Sequence, residues 1–233
     1  MNEIRIEGPG KNALGTPLMQ QLLDAVRAAE GGPLLLTGAG DAFSAGLDLK
    51  EVHAADTDGM KRFLVLLTDL VAALHHHPGP TVAAVNGHAI AGGCLLALVC
   101  DVRIATTEAR ARIGLNEVAL GLRFPPRVFR MARSRLSATH ENEILLGAGL
   151  HGPVDAQRLG LVDRLDADPV AAGRAALEKL ASYPADAYAA AKRDLRAGSD
   201  PIDPSEEERF IREILPVWAG PELKARIAGF VKR

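Results

Sequence analysis

The sequence predicts an α/β protein with mostly parallel strands, followed by a helical C-terminal segment. Short apolar runs at residues 33–37, 81–85 and 101–105 are typical of buried strands. Helical patterns precede the first run, over residues 16–30, and separate it from the second, over residues 60–75. Strands that alternate with helices indicate parallel pairing, and such folds bind ligands where strands end and helices begin.

Two patterns of apolar residues, one typical of a strand and one of a helix, predict the N-terminal elements. Residues 3–7 alternate apolar and polar side chains, which predicts a short edge strand. The segment 16–30 predicts an amphipathic helix with Pro17 near its start. Its apolar face consists of Leu18, Met19, Leu22, Leu23 and Val26. The helix through residues 60–75 is expected to end before Pro78.

The character of the chain changes to helices from about residue 124. Helices are predicted over residues 125–135, 137–146, 155–159, 169–182, 184–197, 204–215 and 221–232. A single strand, over residues 160–165, interrupts them. We therefore expect two parts, an α/β core over residues 1–165 and a helical segment over residues 166–233.

Composition excludes several classes of protein. The 233 residues, of which 48% are hydrophobic, fit one soluble globular domain. The 27 Lys and Arg against 29 Asp and Glu, with only 4% aromatic residues, argue against a nucleic-acid or acidic-membrane partner. No apolar stretch predicts a membrane span or a signal peptide. Cys94 and Cys100 fit neither a disulfide framework nor a zinc site, so we expect a cytoplasmic protein with reduced, buried cysteines.

The segment "GAGDAFSAGLDL", residues 38–49, is the first of three that could carry chemistry. Its glycines and alanines at a strand exit would let the backbone approach a ligand closely, with N–H groups as donors. It matches neither a dinucleotide fingerprint nor a phosphate-binding P-loop. Taken alone, the segment is better explained as a plain glycine-rich turn.

The second segment is "HAIAGGCLLALVCD", residues 88–101, which predicts a short helix opened by Gly92 and Gly93. Its first turn contains no acid, although the first N–H groups of a helix are unpaired and partly positive. Such N–H groups could stabilise a developing oxyanion. Close packing of the helix through its glycines is the competing interpretation.

The third segment is "ARIGLNEVALGL", residues 111–122, in which Glu117 stands in an apolar run. A carboxylate in apolar surroundings has a raised pKa and can act as a base near neutral pH. An exposed turn residue is the alternative. The consecutive histidines His75, His76 and His77 cannot all face one metal ion, and Asp101 is a candidate buried hydrogen-bonding anchor.

Together the three segments resemble the enoyl-CoA hydratase/isomerase, or crotonase, superfamily. The matching stretches are "FSAGLDL" (43–49), "VNGHAIAGGC" (85–94) and "IGLNEVALGL" (113–122), in the family's order and approximate spacing. The similarity runs from "KNAL" (11–14) through "GPVDAQRLGLVDRL" (152–165). The resemblance implies a spiral of ββα units, a coenzyme A thioester as ligand, and a homotrimer or dimer of trimers built through the helical C-terminal segment.

The resemblance also implies roles for individual residues. The N–H groups of Ala45 and Gly92 would form the oxyanion hole for the thioester oxygen, and Glu117 would transfer protons. The CoA and thioester path would be lined by Ala45, Gly46, Leu47, Asp48 and Leu49. Substrate contacts are further implied for Gly92, Leu95 and Asn116. Coenzyme A is then part of the substrate, and neither a separate cofactor nor a metal is expected.

Leu95 distinguishes this chain from the family's hydratases. Hydratases carry one glutamate directly after "GGC" and a second in the segment that matches residues 113–122, whereas here Leu95 fills the first position and only Glu117 remains. One carboxylate suffices to move a double bond, because it can remove a proton at C2 and return it at C4. The pattern is most similar to mitochondrial-type Δ3,Δ2-enoyl-CoA isomerases.

Three functions therefore stay open from the sequence. The first is isomerisation of a 3-enoyl-CoA to the 2-trans-enoyl-CoA, as a step of fatty-acid β-oxidation. The second is another reaction of the family on acyl-CoA, either hydration or decarboxylation. The third is a CoA-ester-binding or RNA-binding scaffold without activity, against which the net charge of −2 and the retained site residues argue.

Overall fold

The fold is built on two parallel sheets, as a computed structural model that describes residues 1–201 and 203–231 shows. The larger sheet has the strand order β1-β2-β4-β6-β8 and the smaller has the order β3-β5-β7. The strands are β1 Asn2–Ile6, β2 Leu34–Gly38, β3 Ala42–Ser44, β4 Thr81–Val85, β5 His88–Ile90, β6 Val102–Thr106, β7 Ile113–Gly114 and β8 Arg164–Asp166. All neighbouring strands pair in parallel, which confirms the α/β fold class.

Helices connect the strands and then form the C-terminal part. The first set is α1 Pro9–Asn12, α2 Thr16–Ala28, α3 Leu49–Ala54, α4 Thr57–His75 and α5 Gly92–Leu98. The second set is α6 Pro126–Arg133, α7 Glu141–Leu145, α8 Pro153–Arg158, α9 Pro169–Ala181, α10 Ala185–Leu195, α11 Pro204–Arg209, α12 Leu215–Ala219 and α13 Pro221–Val231. None of these helices is both long and apolar enough to cross a membrane.

The larger sheet is covered on both faces, which explains why its strands read as unbroken apolar runs. In β2, Leu34 and Leu36 belong to the main core, whereas Leu35 points to the opposite face. Helix α9 covers that opposite face through Leu177, and a Cβ at Gly173 would lie 2.9 Å from a methyl carbon of Leu35. Helix α9 therefore packs as a layer of the core, although it lies beyond residue 165.

Several elements differ from the sequence-based expectations. The strand expected over residues 160–165 begins only at Arg164, because Gly160 at φ 77° forms a turn before it. The helix expected over residues 204–215 is interrupted by a π-helical turn, Phe210–Ile214, between α11 and α12. The expected helix over residues 221–232 is described through Val231, and its last predicted residue, Lys232, lies outside the described part.

The short strands β3, β5 and β7 are absent from the sequence-based prediction. Each has only two or three residues, so none shows a measurable alternation. Their pairing is nevertheless what positions the site. Ser44 of β3 is in register with Ala89 of β5, and Ile90 of β5 with Gly114 of β7. Because the strands are parallel, their carboxyl ends meet at one edge of the small sheet.

Candidate active site

The three chemistry-bearing segments leave the small sheet at this common edge. Residues 45–48 follow β3, residues 91–92 follow β5, and residues 116–117 follow β7. A cavity of about 390 Å³ opens there. It is lined by Gly10, Ala13, Ala45, Leu47, Asp48, Leu49, Lys50, Ile90, Ala91, Asn116, Glu117, Leu120, Leu122, Leu150 and Trp218. Its volume lies in the range of small-molecule sites.

The segment after β3 reaches the cavity through a sharply turned backbone. Gly46 lies at φ 92°, a conformation that favours glycine, and a Cβ there would lie 2.7 Å from the carbonyl oxygen of Ile90. The loop is tied to α1 and to the residues after it: Leu14 N–H donates to the Gly46 carbonyl at 2.7 Å. Glycine is therefore required here so that the loop can lie against the segment that follows β5.

The N–H groups of this loop correct one sequence-based expectation. Ala45 N–H donates to the carbonyl of Lys11 at 3.0 Å, so it is not available to a thioester oxygen in this structure. Gly46 N–H donates to Ser44 Oγ at 3.2 Å, and Asp48 N–H to the carbonyl of Leu14 at 3.1 Å. Within the described residues, Leu47 N–H alone among these four has no protein acceptor.

The two glycines that open α5 serve close packing. A Cβ at Gly93 would collide with the backbone carbonyl of Ser44. A Cβ at Gly92 would lie 3.1 Å from a methyl carbon of Leu47 and 3.2 Å from one of Leu14. The residue before them, Ala91, is held at φ 47° and ψ −117°, an uncommon conformation for a residue with a side chain.

The same glycines leave a helix start without a protein partner. Ala91 N–H donates to Gly114 at 2.9 Å, and the α-helical ladder begins with Leu95 N–H donating to Ala91. In the described part of the chain, Gly92 N–H has no protein acceptor. Close packing and an unpaired N–H thus coexist at Gly92, and the two interpretations of this helix start do not exclude each other.

Glu117 is the buried carboxylate of the cavity wall. Its residue is 5% exposed, and its Oε2 atom has no hydrogen-bond partner among the described residues. Burial raises the pKa of Glu117 to about 7, and only a hydrogen bond from its own backbone opposes the shift. The alternative of an exposed turn residue is therefore wrong. The adjacent Asn116 also lines the cavity, and its buried Oδ1 has no hydrogen-bond partner in the described part of the chain.

A second carboxylate on the wall, Asp48, differs from Glu117 because it accepts hydrogen bonds from the backbone of α3. Its Oδ1 accepts from the backbone N–H of Lys50 at 2.9 Å and from that of Glu51 at 3.4 Å, which caps the N-terminus of α3. Asp48 is thus a structural residue that also lines the cavity. Lys50, one residue into α3, is exposed and adds a positive charge to the same wall.

Most of the residues expected at the site do line the cavity. They are Ala45, Leu47, Asp48, Leu49, Asn116 and Glu117. Gly46 and Gly92 instead supply backbone directly beside lining residues. Leu95 is not among the lining residues; it is buried in the main core, one helical turn behind the start of α5. Leu95, expected to contact the substrate, therefore lies outside the lining of this cavity.

Sequence reasoning missed several apolar residues of the wall. Leu120 ends the short 3-10 helix Val118–Leu120, whereas Leu122 and Leu150 lie in loops. Trp218 comes from α12, about a hundred residues after Glu117. Trp218 Nε1–H donates to the carbonyl of Arg123 at 2.8 Å. No local pattern connects Trp218 to the site, and the only signal was that it is the single tryptophan of the chain.

The three consecutive histidines, which were not expected to bind a metal ion, have hydrogen-bond partners away from the cavity. His75 contacts Ser199 Oγ at 2.8 Å, His76 contacts Asp200 at 3.2 Å, and His77 contacts the carbonyl of Gly32 at 2.8 Å. The three rings therefore face three different partners. Burial and the nearby Arg196 lower the pKa of His75 to about 3, which keeps this ring neutral.

Comparison with known proteins agrees with this geometry. A sequence profile described as "Enoyl-CoA hydratase/isomerase" matches residues 1–213. A probable enoyl-CoA hydratase of Rhizobium meliloti is 30% identical over 233 residues, covering 95% of this chain and 87% of the relative. A mitochondrial enoyl-CoA delta isomerase 1 of Rattus norvegicus is 29% identical over 171 residues, covering 70% and 58%.

A solved structure supports the same assignment at the level of the fold. The human mitochondrial delta3-delta2-enoyl-CoA isomerase superposes with a TM-score of 0.90 at 23% identity, covering 99% of this chain and 92% of that one. Together with the profile match, this fold shows that the chain belongs to the enoyl-CoA hydratase/isomerase family, the crotonase superfamily.

Proposed function

We propose that the protein is a Δ3,Δ2-enoyl-CoA isomerase, which moves the double bond of a 3-enoyl-CoA to the 2-trans position. The observation that carries the proposal is the state of Glu117, a buried carboxylate with an unpartnered oxygen and a pKa raised to about 7. A group with this pKa can both accept and return a proton near neutral pH. The other carboxylate of the wall, Asp48, is engaged in capping α3.

In the proposed reaction, Glu117 removes a proton from C2 of the bound 3-enoyl thioester. The electron pair of the broken C–H bond then spreads over a dienolate, and the thioester oxygen becomes negatively charged. Glu117 returns the proton at C4, and the double bond comes to rest between C2 and C3. No atom is gained or lost, so a single carboxylate completes the cycle.

We propose that the N–H groups of Leu47 and Gly92 form the oxyanion hole. Both follow strands that end at the same edge, and neither has a protein acceptor within the described ranges. A preorganised donor of this kind is typically worth about 3–4 kcal/mol at the transition state. This assignment replaces Ala45, whose N–H is bound to Lys11.

Hydration is the second candidate, because relatives such as the Rhizobium meliloti protein are named enoyl-CoA hydratases. Addition of water requires groups that position and deprotonate a water molecule and protonate the α-carbon. The position at which the family's hydratases carry their first glutamate is Leu95, which supports isomerisation over hydration. A homotrimer or dimer of trimers, as in the family, is part of the proposal.

A spectrophotometric screen tests the reaction directly. We expect 3-enoyl-CoA substrates to gain the absorbance of the conjugated 2-enoyl thioester, and 2-trans-enoyl-CoA to keep it. Loss of that absorbance in the presence of the protein would instead identify a hydratase.

A further inference from the structure

The C-terminal segment contributes one side chain, Trp218, to the wall of the Glu117 cavity. It is 2% exposed, and it is the only tryptophan of the chain. The indole ring takes no part in the proposed proton transfer. The presence of a large, rigid apolar side chain in the cavity wall therefore needs a different explanation.

The burial of the lining residues divides the cavity into an outer and an inner part. Gly10 and Lys50 are exposed, so they lie at the mouth, where a polar and charged part of a ligand remains in contact with water. Glu117 is 5% exposed and Leu122 is 7% exposed, so both lie inside with Trp218. Apart from Glu117 and its neighbour Asn116, the inner wall is apolar, as a hydrocarbon chain requires.

The indole ring is buried and hydrogen-bonded to a neighbouring loop. Its Nε1–H donates to the carbonyl of Arg123 at 2.8 Å, in the loop that follows Glu117. The next helix, α13, is tied to the same part of the molecule. Lys224 Nζ donates to the carbonyl of Ala55 at 2.8 Å, and Arg226 donates to that of Leu120 at 2.9 Å. Displacing the ring would therefore break its hydrogen bond to Arg123.

We propose that Trp218 is the end wall of the acyl subsite and limits the length of the acyl chain that the protein accepts. The proposal rests on the proposed function, since it takes an acyl-CoA as the ligand. A chain that enters from the mouth passes Glu117 at its reacting carbons and meets the indole with its tail. Longer chains must displace a buried ring that is hydrogen-bonded in place.

The test is a binding series with saturated acyl-CoAs, namely butanoyl-, octanoyl- and dodecanoyl-CoA, which cannot be isomerised. The variant Trp218→Leu replaces the indole by a smaller side chain and so lengthens the acyl subsite. Each further methylene that the longer subsite buries should improve affinity roughly fourfold. We expect the ratio of dodecanoyl-CoA affinity to butanoyl-CoA affinity to rise by at least about tenfold over wild type. Trp218→Phe should shift the ratio in the same direction and by less.

Leu215→Ala is the matched control. Leu215 lies on the same helix and is 5% exposed, but it is not a lining residue. This variant should lower thermal stability while leaving the affinity ratio as in wild type. An unchanged ratio in folded Trp218→Leu or Trp218→Phe, or an equal shift in Leu215→Ala, would overturn the proposal.

The outcomes also separate this proposal from the proposed function. A chain-length shift without turnover of any 3-enoyl-CoA would support the subsite and contradict the isomerase. Isomerase activity together with an unchanged affinity ratio in the Trp218 variants would support the isomerase and contradict the subsite.

Discussion

The partly buried carboxylate of Asp101 and the buried carboxylate of Glu117 differ in the groups that surround them. Asp101, just before β6, accepts from Lys192 Nζ at 2.8 Å, from Arg196 at 2.5 Å, and from the backbone N–H of Thr81 at 2.8 Å. Glu117 has no cation beside it and leaves one oxygen without a partner among the described residues. Burial works to raise the pKa of both groups, but at Asp101 the two cations overcome it and hold the pKa below the usual range.

The difference separates a structural carboxylate from the one that the proposed function uses. The two cations stabilise the ionised form of Asp101, so this side chain stays charged. Its ion pairs and its hydrogen bond from Thr81 connect the C-terminal end of α10 to β4. The pKa of about 7 leaves Glu117 able to exchange a proton at neutral pH. An unpaired buried acid lowers stability, so its presence in a cavity points to chemistry.

The largest expected effect on stability is that of Asp101→Asn. The substitution leaves Lys192 and Arg196 buried without their carboxylate, which should lower the free energy of unfolding by about 3–5 kcal/mol near pH 7. The contribution of Asp101 disappears as the pH falls through its lowered pKa, so wild type and variant should converge in strong acid. Urea denaturation measures the difference.

Asp41→Asn is the control for this prediction. Asp41 pairs with Lys11 at 3.0 Å, and both side chains are about half exposed, so its removal should change stability little. If Asp101→Asn were as stable as wild type at neutral pH, the buried network would not have the structural role assigned to it.

Glu117→Gln should have the opposite sign. The pKa of Glu117 rises from 4.5 to about 7 on folding, so stability present below 4.5 is lost as the pH increases towards 7. Glutamine does not ionise, so the free energy of unfolding of the variant does not fall in this way. Above pH 7 the variant should therefore be more stable than wild type by up to about 3 kcal/mol. Urea denaturation at about pH 5 and about pH 8.5 should show the difference growing with pH. A difference that does not depend on pH would contradict the raised pKa.

The smallest expected effects distinguish the two glycines that open α5. Gly93→Ala places a Cβ against the rigid carbonyl of Ser44 and should lower the free energy of unfolding by about 1–3 kcal/mol. Gly92→Ala meets only the flexible side chains of Leu47 and Leu14 and should cost less. Thermal denaturation of the two variants checks the order. The reverse order would mean that close packing on β3 does not determine the first residues of the helix.

The elements that were predicted from the sequence are those long enough to show an apolar run or a helical repeat of apolar residues. The apolar runs that became β2, β4 and β6 and the amphipathic helices α2 and α4 were visible, and the strands of the large sheet followed from them. The strands β3, β5 and β7 were too short to show a period, although their pairing brings the three chemical segments together.

The site was predicted residue by residue only where side-chain chemistry is decisive. Glu117 was a candidate because it stands in an apolar run, but it was the family resemblance that favoured it over an exposed turn residue. The choice between the N–H groups of Ala45 and Leu47 depends on the turn at Gly46, which the order of residues does not reveal. Trp218 reaches the cavity only through the packing of α12, so no local pattern predicted it.

The most direct test of the account is the turnover of a 3-enoyl-CoA by Glu117→Gln, measured beside the affinity of the same variant for butanoyl-CoA. Glutamine preserves the size of the side chain and cannot carry the proton. We predict a decrease in kcat of at least about 100-fold with unchanged affinity for the CoA ester. Turnover close to that of wild type would contradict the proton transfer assigned to Glu117, and would favour a reaction of the family that needs no strong base, such as decarboxylation.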